Sequence, residues 1–242
     1  MYKHLYQIVL FLGILVLFPS CQNQTIGGNG IVKEKTYALE GFHTLSIKGA
    51  FEVHLLPSDS FTARIIADEN IIPEIEVEVN DSTLEVAPRK NIIRSRELKL
   101  YIGCPEIRSI ILSGASEIIT DTLMISPHLS ISISGTGKLS LQLQVNTLNV
   151  NISGGAEVVL LGKANQFSSS ITGVGKIDAE DFSTDTANIE ISGYGYLMVN
   201  ANKLLNINVS GFGKVFYSGN PVVKQNITGS AKIKQKPTDV SR

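Results

Sequence analysis

The sequence predicts an all-β protein, a single-stranded parallel β-solenoid with coils of about 18–21 residues. Three observations lead there. A Ser/Thr-Gly-x-Gly/Ala motif recurs seven times, the residues around each copy alternate apolar and polar, and no stretch after the N-terminus carries apolar residues at helical spacing.

The copies begin at Ser113, Ser134, Ser153, Thr172, Ser192, Ser210 and Thr228, which are 21, 19, 19, 20, 18 and 18 residues apart. Around the second, Leu129, Ile131, Ile133, Gly135, Gly137, Leu139, Leu141 and Leu143 share one parity; Leu205, Ile207, Val209, Gly211, Gly213, Val215 and Tyr217 repeat it at the sixth. A period of two is the signature of a strand with this set facing one side. The two motif positions of that parity are nearly always small, which implies a bend where large inward side chains would collide. Glycine also permits positive φ there. A unit this short cannot bury its own apolar face, so neighbours must stack, about 4.8 Å apart. Seven coils make a rod of roughly 30–35 Å. The competing architecture is an antiparallel meander, sandwich or barrel. It needs turn signals every 8–12 residues but not one motif held in register.

Before Ser113 the chain reads as more strand. Ile47, Gly49, Phe51, Val53 and Leu55 keep the same parity, and Lys48-Gly49-Ala50-Phe51 echoes the motif as an atypical end coil. Alternating segments follow at 61–66, 75–79, 83–87 and 98–102, with Asn80-Asp81-Ser82 as a hairpin turn between two of them. This half is expected to form the first coils plus a hairpin excursion.

The N-terminus is a separate matter. Met1-Tyr2-Lys3-His4 is a short basic start and residues 5–18 are almost wholly apolar, the pattern of a signal peptide over 1–20. Cys21 follows Ser20 at its end, which resembles a bacterial lipobox and makes Cys21 the expected lipid-attachment residue. The polar, Gly-rich start of residues 21–38 reads as a lipidated flexible tether, residues 39–236 as the solenoid and 237–242 as a tail. With Cys21 lipidated, Cys104 has no partner for an intrachain disulfide, and its place beside Pro105 suits a small strand-end residue.

Composition agrees with this frame. Of 242 residues 43% are apolar but only 7% aromatic, with no Trp, so aliphatic side chains must fill the core. A formal net charge of −1 makes no case for nucleic acid, which needs a basic stripe or patch.

Stacking in register turns outward positions into ladders. One reads Glu117, Lys138, Glu157, Lys176, Tyr196, Lys214, Lys232, suited to ion pairs between neighbouring coils. Ser130/Ser132, Asn149/Asn151, Ser168/Ser170, Asn188/Glu190 and Asn206/Asn208 form a flat polar face, either a solvated wall or a sugar-binding one. Val174, Tyr194 and Phe212 occupy the position between the small motif residues, with Tyr196 nearby, and form the candidate binding patch. The alternative is that the hairpin excursion or the C-terminal tail covers them.

Catalytic patterns are missing. His43, His54 and His128 lack metal-ligand spacing, and no Gly-x-Ser-x-Gly elbow or phosphate loop occurs. The motifs carry Lys, Glu or Tyr where a calcium-binding nonapeptide repeat needs Asp. Asp178, Glu180, Asp181 and Asp185 are the one acidic cluster and read as a charged turn at a strand exit. Neither a metal nor a cofactor is expected. Asp81-Ser82-Thr83, Asp121-Thr122-Leu123 and Asp185-Thr186-Ala187 resemble a bacterial O-glycosylation sequon.

The lipobox, the early Gly49-Ala50-Phe51-Glu52-Val53-His54-Leu55 segment and the serial Ser-Gly-x-Gly-Lys/Glu-aliphatic motifs together resemble the auto-transporter adhesin head GIN domain family. The likeness covers roughly residues 39–233. It implies a right-handed β-helix and an envelope location in Bacteroidota. The expected function is a non-catalytic, lipid-anchored protein of the outer membrane, facing periplasm or surface, whose rod serves adhesion, glycan contact or partner binding. A carbohydrate-active β-helix, lyase or hydrolase, is the alternative.

Overall fold

The computed structural model describes residues 24–236. The expected signal peptide, Cys21 and the tail 237–242 lie outside them. The architecture is a stack of parallel β-coils forming two long hydrogen-bonded walls around an aliphatic core.

The first strands are Thr25–Gly27 (β1), Val32–Ala38 (β2), Thr44–Ile47 (β3), Glu52–Pro57 (β4) and Thr62–Asp68 (β5). Ile75–Asn80 (β6), Thr83–Pro88 (β7), Asn91–Arg94 (β8) and Leu98–Cys104 (β9) follow. The motif region contains Ser109–Leu112 (β10), Ala115–Thr120 (β11), Met124–Ile133 (β12), Thr136–Ile152 (β13), Gly155–Ile171 (β14) and Val174–Ile191 (β15). Tyr194–Val209 (β16), Phe212–Ser218 (β17), Val222–Ile227 (β18) and Ser230–Gln235 (β19) complete it.

Each motif is a corner joining the two walls. The wall after the corner runs β9, β4, β11, β13, β14, β15, β16, β17, β19, all parallel. Nine strands at about 4.8 Å give a rod of roughly 40 Å. The wall before the corner runs β7, β3, β10, β12, β13, β14, β15, β16, β18. β13 through β16 are long enough to contribute to both. A second corner shows as a parity switch: Leu143 and Val145 point inward, then Leu148 and Val150, with Asn146 and Thr147 outward between them. Ile133, Ile152, Ile171, Ile191 and Val209 close the core beside the motif.

The two small positions of the motif have different causes. The second (Gly137, Gly175, Gly195, Gly213) faces the core, where an added Cβ at Gly175 would lie 3.0 Å from Ile171 Cδ1 and 3.1 Å from Ile152 Cδ1. That matches the expected collision across the bend. The first glycine is required by backbone stacking instead. The Gly135 carbonyl accepts the Gly155 N–H at 3.0 Å, and a Cβ on Gly154 would run into that same oxygen. The contact recurs from Gly114 through Gly229. Positive φ, which the sequence reading allowed for, occurs at Gly30, Gly49, Gly162 and Gly219 and at none of the seven corners. The motif Ser or Thr adds a weak bond to the coil below, as from Ser134 Oγ to the Leu112 carbonyl at 3.3 Å.

The N-terminal half departs from the expected order. β3 and β4 form a coil, yet it is not the end coil: β7 and β9, later in sequence, stack outside it. Phe51 is therefore buried within the stack, between two coils rather than at its margin. Antiparallel strands then close this end, β5 on β9, β2 on β5 and β6 on β7. The expected hairpin is present, its turn made by Asp81 and Ser82 at φ 47° and 61°. Residues 21–38 read as a tether, but β1 pairs with β8 and β2 edges the cap. β2 was illegible because it is a polar edge strand with little buried surface.

Asp68 locks the cap. Its buried carboxylate accepts bonds from Ser95 Oγ and the Arg96 N–H, both at 2.7 Å, and from the Gly30 N–H. These bonds, Ser95's first, hold its pKa below the ordinary carboxylate value.

Candidate functional site

The candidate patch lies on the wall after the corner, toward the C-terminal end. The residue between the two small motif positions must point outward, because its successor is pressed into the core. Register then aligns Gly155, Val174, Tyr194, Phe212 and Ser230 along one row. Val174, Tyr194 and Phe212 are 62%, 60% and 56% exposed, so neither the hairpin nor any other described segment covers them. The Tyr194 and Phe212 rings stack at 5.0 Å between centroids and 8° between planes.

Two residues further on, the next row runs Lys138, Glu157, Lys176, Tyr196, Lys214, Lys232. Lys176 Nζ donates to Glu157 Oε1 at 2.6 Å, lowering the carboxyl pKa and raising that of the amine. The third row holds Asp178, Met198, Phe216 and Lys234. Tyr196, the fourth expected patch residue, is half-buried and leans on Phe216 at 5.6 Å. The first two rows border a shallow cleft of about 570 Å³, and the third lies outside its lining. Phe216 was missed from sequence, although it shares the outward parity of Phe212 and Lys214.

Charge is segregated along the rod, which the net charge conceals. Residues 24–190 hold 13 Lys and Arg against 21 Asp and Glu, whereas 191–236 hold six Lys and no acid. Lys236 bonds Glu180 at 2.7 Å and Lys203 bonds Asp185 at 2.9 Å. The expected charged turn is thus not a turn: Asp178, Glu180, Asp181 and Asp185 lie within β15, beside a register shift, and two of them, Glu180 and Asp185, pair with lysines of the C-terminal end. Lys214, Lys224, Lys232 and Lys234 make no ion pair among the described residues.

The polar wall before the corner forms a concavity of about 790 Å³ lined by Ser130, Asn149, Asn188, Asn206 and their neighbours. Two of its amides bond along the stack, Asn206 Nδ2 donating to Asn188 Oδ1 at 2.7 Å and Asn188 Nδ2 to Ser168 Oγ at 3.4 Å. Near the cap, His54 sits between Glu52 Oε1 (2.9 Å) and Asp121 Oδ2 (3.2 Å) and stacks on Tyr101 at 4.7 Å. Lys99 reaches Glu52 at 3.6 Å, so this network ties β4, β9 and the end of β11 together. The His54 bond is the main cause of a lowered Glu52 pKa. Cys104 ends β9 fully buried, and burial pushes its thiol pKa up to about 11. Among the described residues no group of His, Cys, Asp and Glu could hold a metal ion.

The family model for the auto-transporter adhesin head GIN domain, whose description carries the word putative, matches residues 41–221. The chain belongs to this family. The GIN fold is also seen in a solved adhesin from Bacteroides fragilis, 24% identical, with a TM-score of 0.81 over 87% of this chain and 100% of that one. A second adhesin, from Parabacteroides merdae, is 18% identical with a TM-score of 0.73, covering 88% and 99%. A protein from Parabacteroides distasonis described as lipid binding is 20% identical with a TM-score of 0.72, covering 88% and 100%. All three descriptions are likewise qualified as putative. At these identities the likeness establishes the fold. No curated protein matches the sequence. The family is adhesin-like, which points to an envelope-associated protein, and no helix among the described residues is long and apolar enough to cross a membrane.

Proposed function

We propose that this GIN-domain protein is a non-catalytic, lipid-anchored envelope protein of the outer membrane whose rigid solenoid presents a side-wall patch for adhesion. The observation that carries the reading is the exposed Val174–Tyr194–Phe212 row, held in register on three consecutive coils. Monomeric proteins seldom expose stacked rings without a partner for them. Because the coils are hydrogen-bonded throughout and packed on a continuous aliphatic core, the patch is preorganised, and binding costs little ordering entropy.

Anchoring through Cys21 fits this geometry. β1 begins four residues after Cys21, a reach of roughly 14 Å at most, so the capped end of the rod would stand at the membrane. The patch lies toward the other end. The test is an array of glycans and envelope proteins probed with the full chain and with Tyr194→Ser/Phe212→Ser. The reading expects a ligand that the double variant loses; equal binding by both would overturn it.

A further inference from the structure

The chemistry surrounding the aromatic row is as particular as the row itself. Tyr194 and Phe212 use one ring face on each other. On its other side Phe212 has only Ser230 in register, a side chain too short to cover a ring. The outer face of Phe212 is therefore available for stacking. Tyr196 and Phe216, tilted at 43° in the adjacent rows, extend the same floor.

Cations frame that floor. Lys214 and Lys232 are neighbours in one row, and Lys234 lies beside Phe216 in the next. All three are exposed, and none forms an ion pair among the described residues, while no acid occurs between Ile191 and Lys236. Of the acids nearest this face, Glu157, Glu180 and Asp185 are each engaged by a lysine, whereas Asp178, two coils from Phe216 in its row, makes no ion pair among the described residues. Lys214 and Lys232 lie on adjacent coils, about 4.8 Å apart along the rod.

We propose that this face binds an acidic polysaccharide, a chain of uronate or sulfated sugars, with one ring stacked on Phe212 and its anionic groups on Lys214, Lys232 and Lys234. The proposal rests on the adhesive reading above and assigns its ligand class. A pyranose ring offers an apolar C–H face to an aromatic ring and carries its acid at the ring's edge, the same juxtaposition this wall displays. The coil repeat is close to the length of one sugar residue, so two successive acids would meet Lys214 and Lys232. A membrane surface fits less well, because the wall is flat and hydrogen-bonded and presents no segment that could insert. Single-stranded nucleic acid needs a series of separate stacking platforms along a groove, whereas two of these rings occupy each other.

The test measures binding of the full chain to polygalacturonate, dextran sulfate, neutral dextran, phosphatidylglycerol vesicles and a single-stranded oligonucleotide. Binding to polygalacturonate is expected, with neutral dextran inert. Lys214→Glu/Lys232→Glu should weaken it at least tenfold, as should Phe212→Ser, while Lys163→Glu on the second corner changes nothing. Unchanged thermal midpoints would show that each variant is folded. Tighter binding to vesicles or oligonucleotide than to either acidic glycan would overturn the proposal. So would polyanion binding indifferent to Phe212→Ser, which is charge attraction without a site. If the serine double variant loses an array ligand but the lysine variants keep it, the patch reading stands and the acidic class falls. If none of the variants changes any binding, both fall.

Discussion

The two ends of this rod solve the same problem in opposite ways. At the N-terminal end β2, β5 and β6 run antiparallel over the last coil, Asp68 is buried in a net of donors, and charges are mixed and paired. At the C-terminal end β18 and β19 are the final rungs among the described residues, Val222 and Ile227 are exposed, and every charged residue from 191 to 236 is a lysine. Lysine on an open strand edge deters another chain from pairing with it, so one set of residues keeps the end soluble and makes it cationic. The difference teaches that a solenoid can spend its irregular sequence on a cap at one end and keep chemical variety for the outward rows at the other.

The sharpest way to break the comparison is inside the motif. Gly154→Val forces a side chain into the Gly135 carbonyl and should cost on the order of 4 kcal/mol or prevent folding, as read from urea denaturation. Gly155→Ala, one residue on with nothing within 4 Å, should shift stability by less than about 0.5 kcal/mol. Comparable losses at both would mean that the corner is not set by backbone stacking.

A smaller effect separates core from open end. Ile110→Ala, in a fully buried position near the cap, should cost about 2–5 kcal/mol. Val223→Ala, only partly buried in the last coil, should cost less than half as much, and β18 amides should exchange with solvent faster than those of β10.

The cap also has a pH signature. Because Asp68 is held below its ordinary pKa, it stabilises the fold above the unfolded carboxylate value, about pH 4, and that contribution is lost as pH falls through the lower folded value. Asp68→Asn should therefore be less stable than the parent at neutral pH, with the gap narrowing below about pH 4 in thermal melts. A gap constant with pH would assign the loss to packing. The smallest effect concerns Cys104. With its pKa raised to about 11 and its sulfur buried, it should resist alkylation at pH 8 in the folded protein and react readily in denaturant.

How legible this was depended on periodicity. The seven motifs made the stacked frame readable, since an inward parity and a small corner residue survive any change of surface. Val174, Tyr194 and Phe212 followed from the same register, and their exposure agrees with it. The cap was harder. β2 buries too little to show alternation, and the placement of β7 and β9 outside β3 and β4 depends on contacts that no local pattern records. Charge segregation was visible in the sequence but vanishes when only the net charge is counted. The His54 network escaped because its members lie on β4, on β9 and just past the end of β11.

Hydrogen–deuterium exchange of the full chain with saturating polygalacturonate tests the account most directly. The C-terminal half of the wall after the corner is the proposed binding face. Slowed exchange should then appear at 194–198, 212–216 and 230–234 and leave the cap unchanged. Protection confined to the polar concavity around Asn149, Asn188 and Asn206, or to the cap, would contradict it.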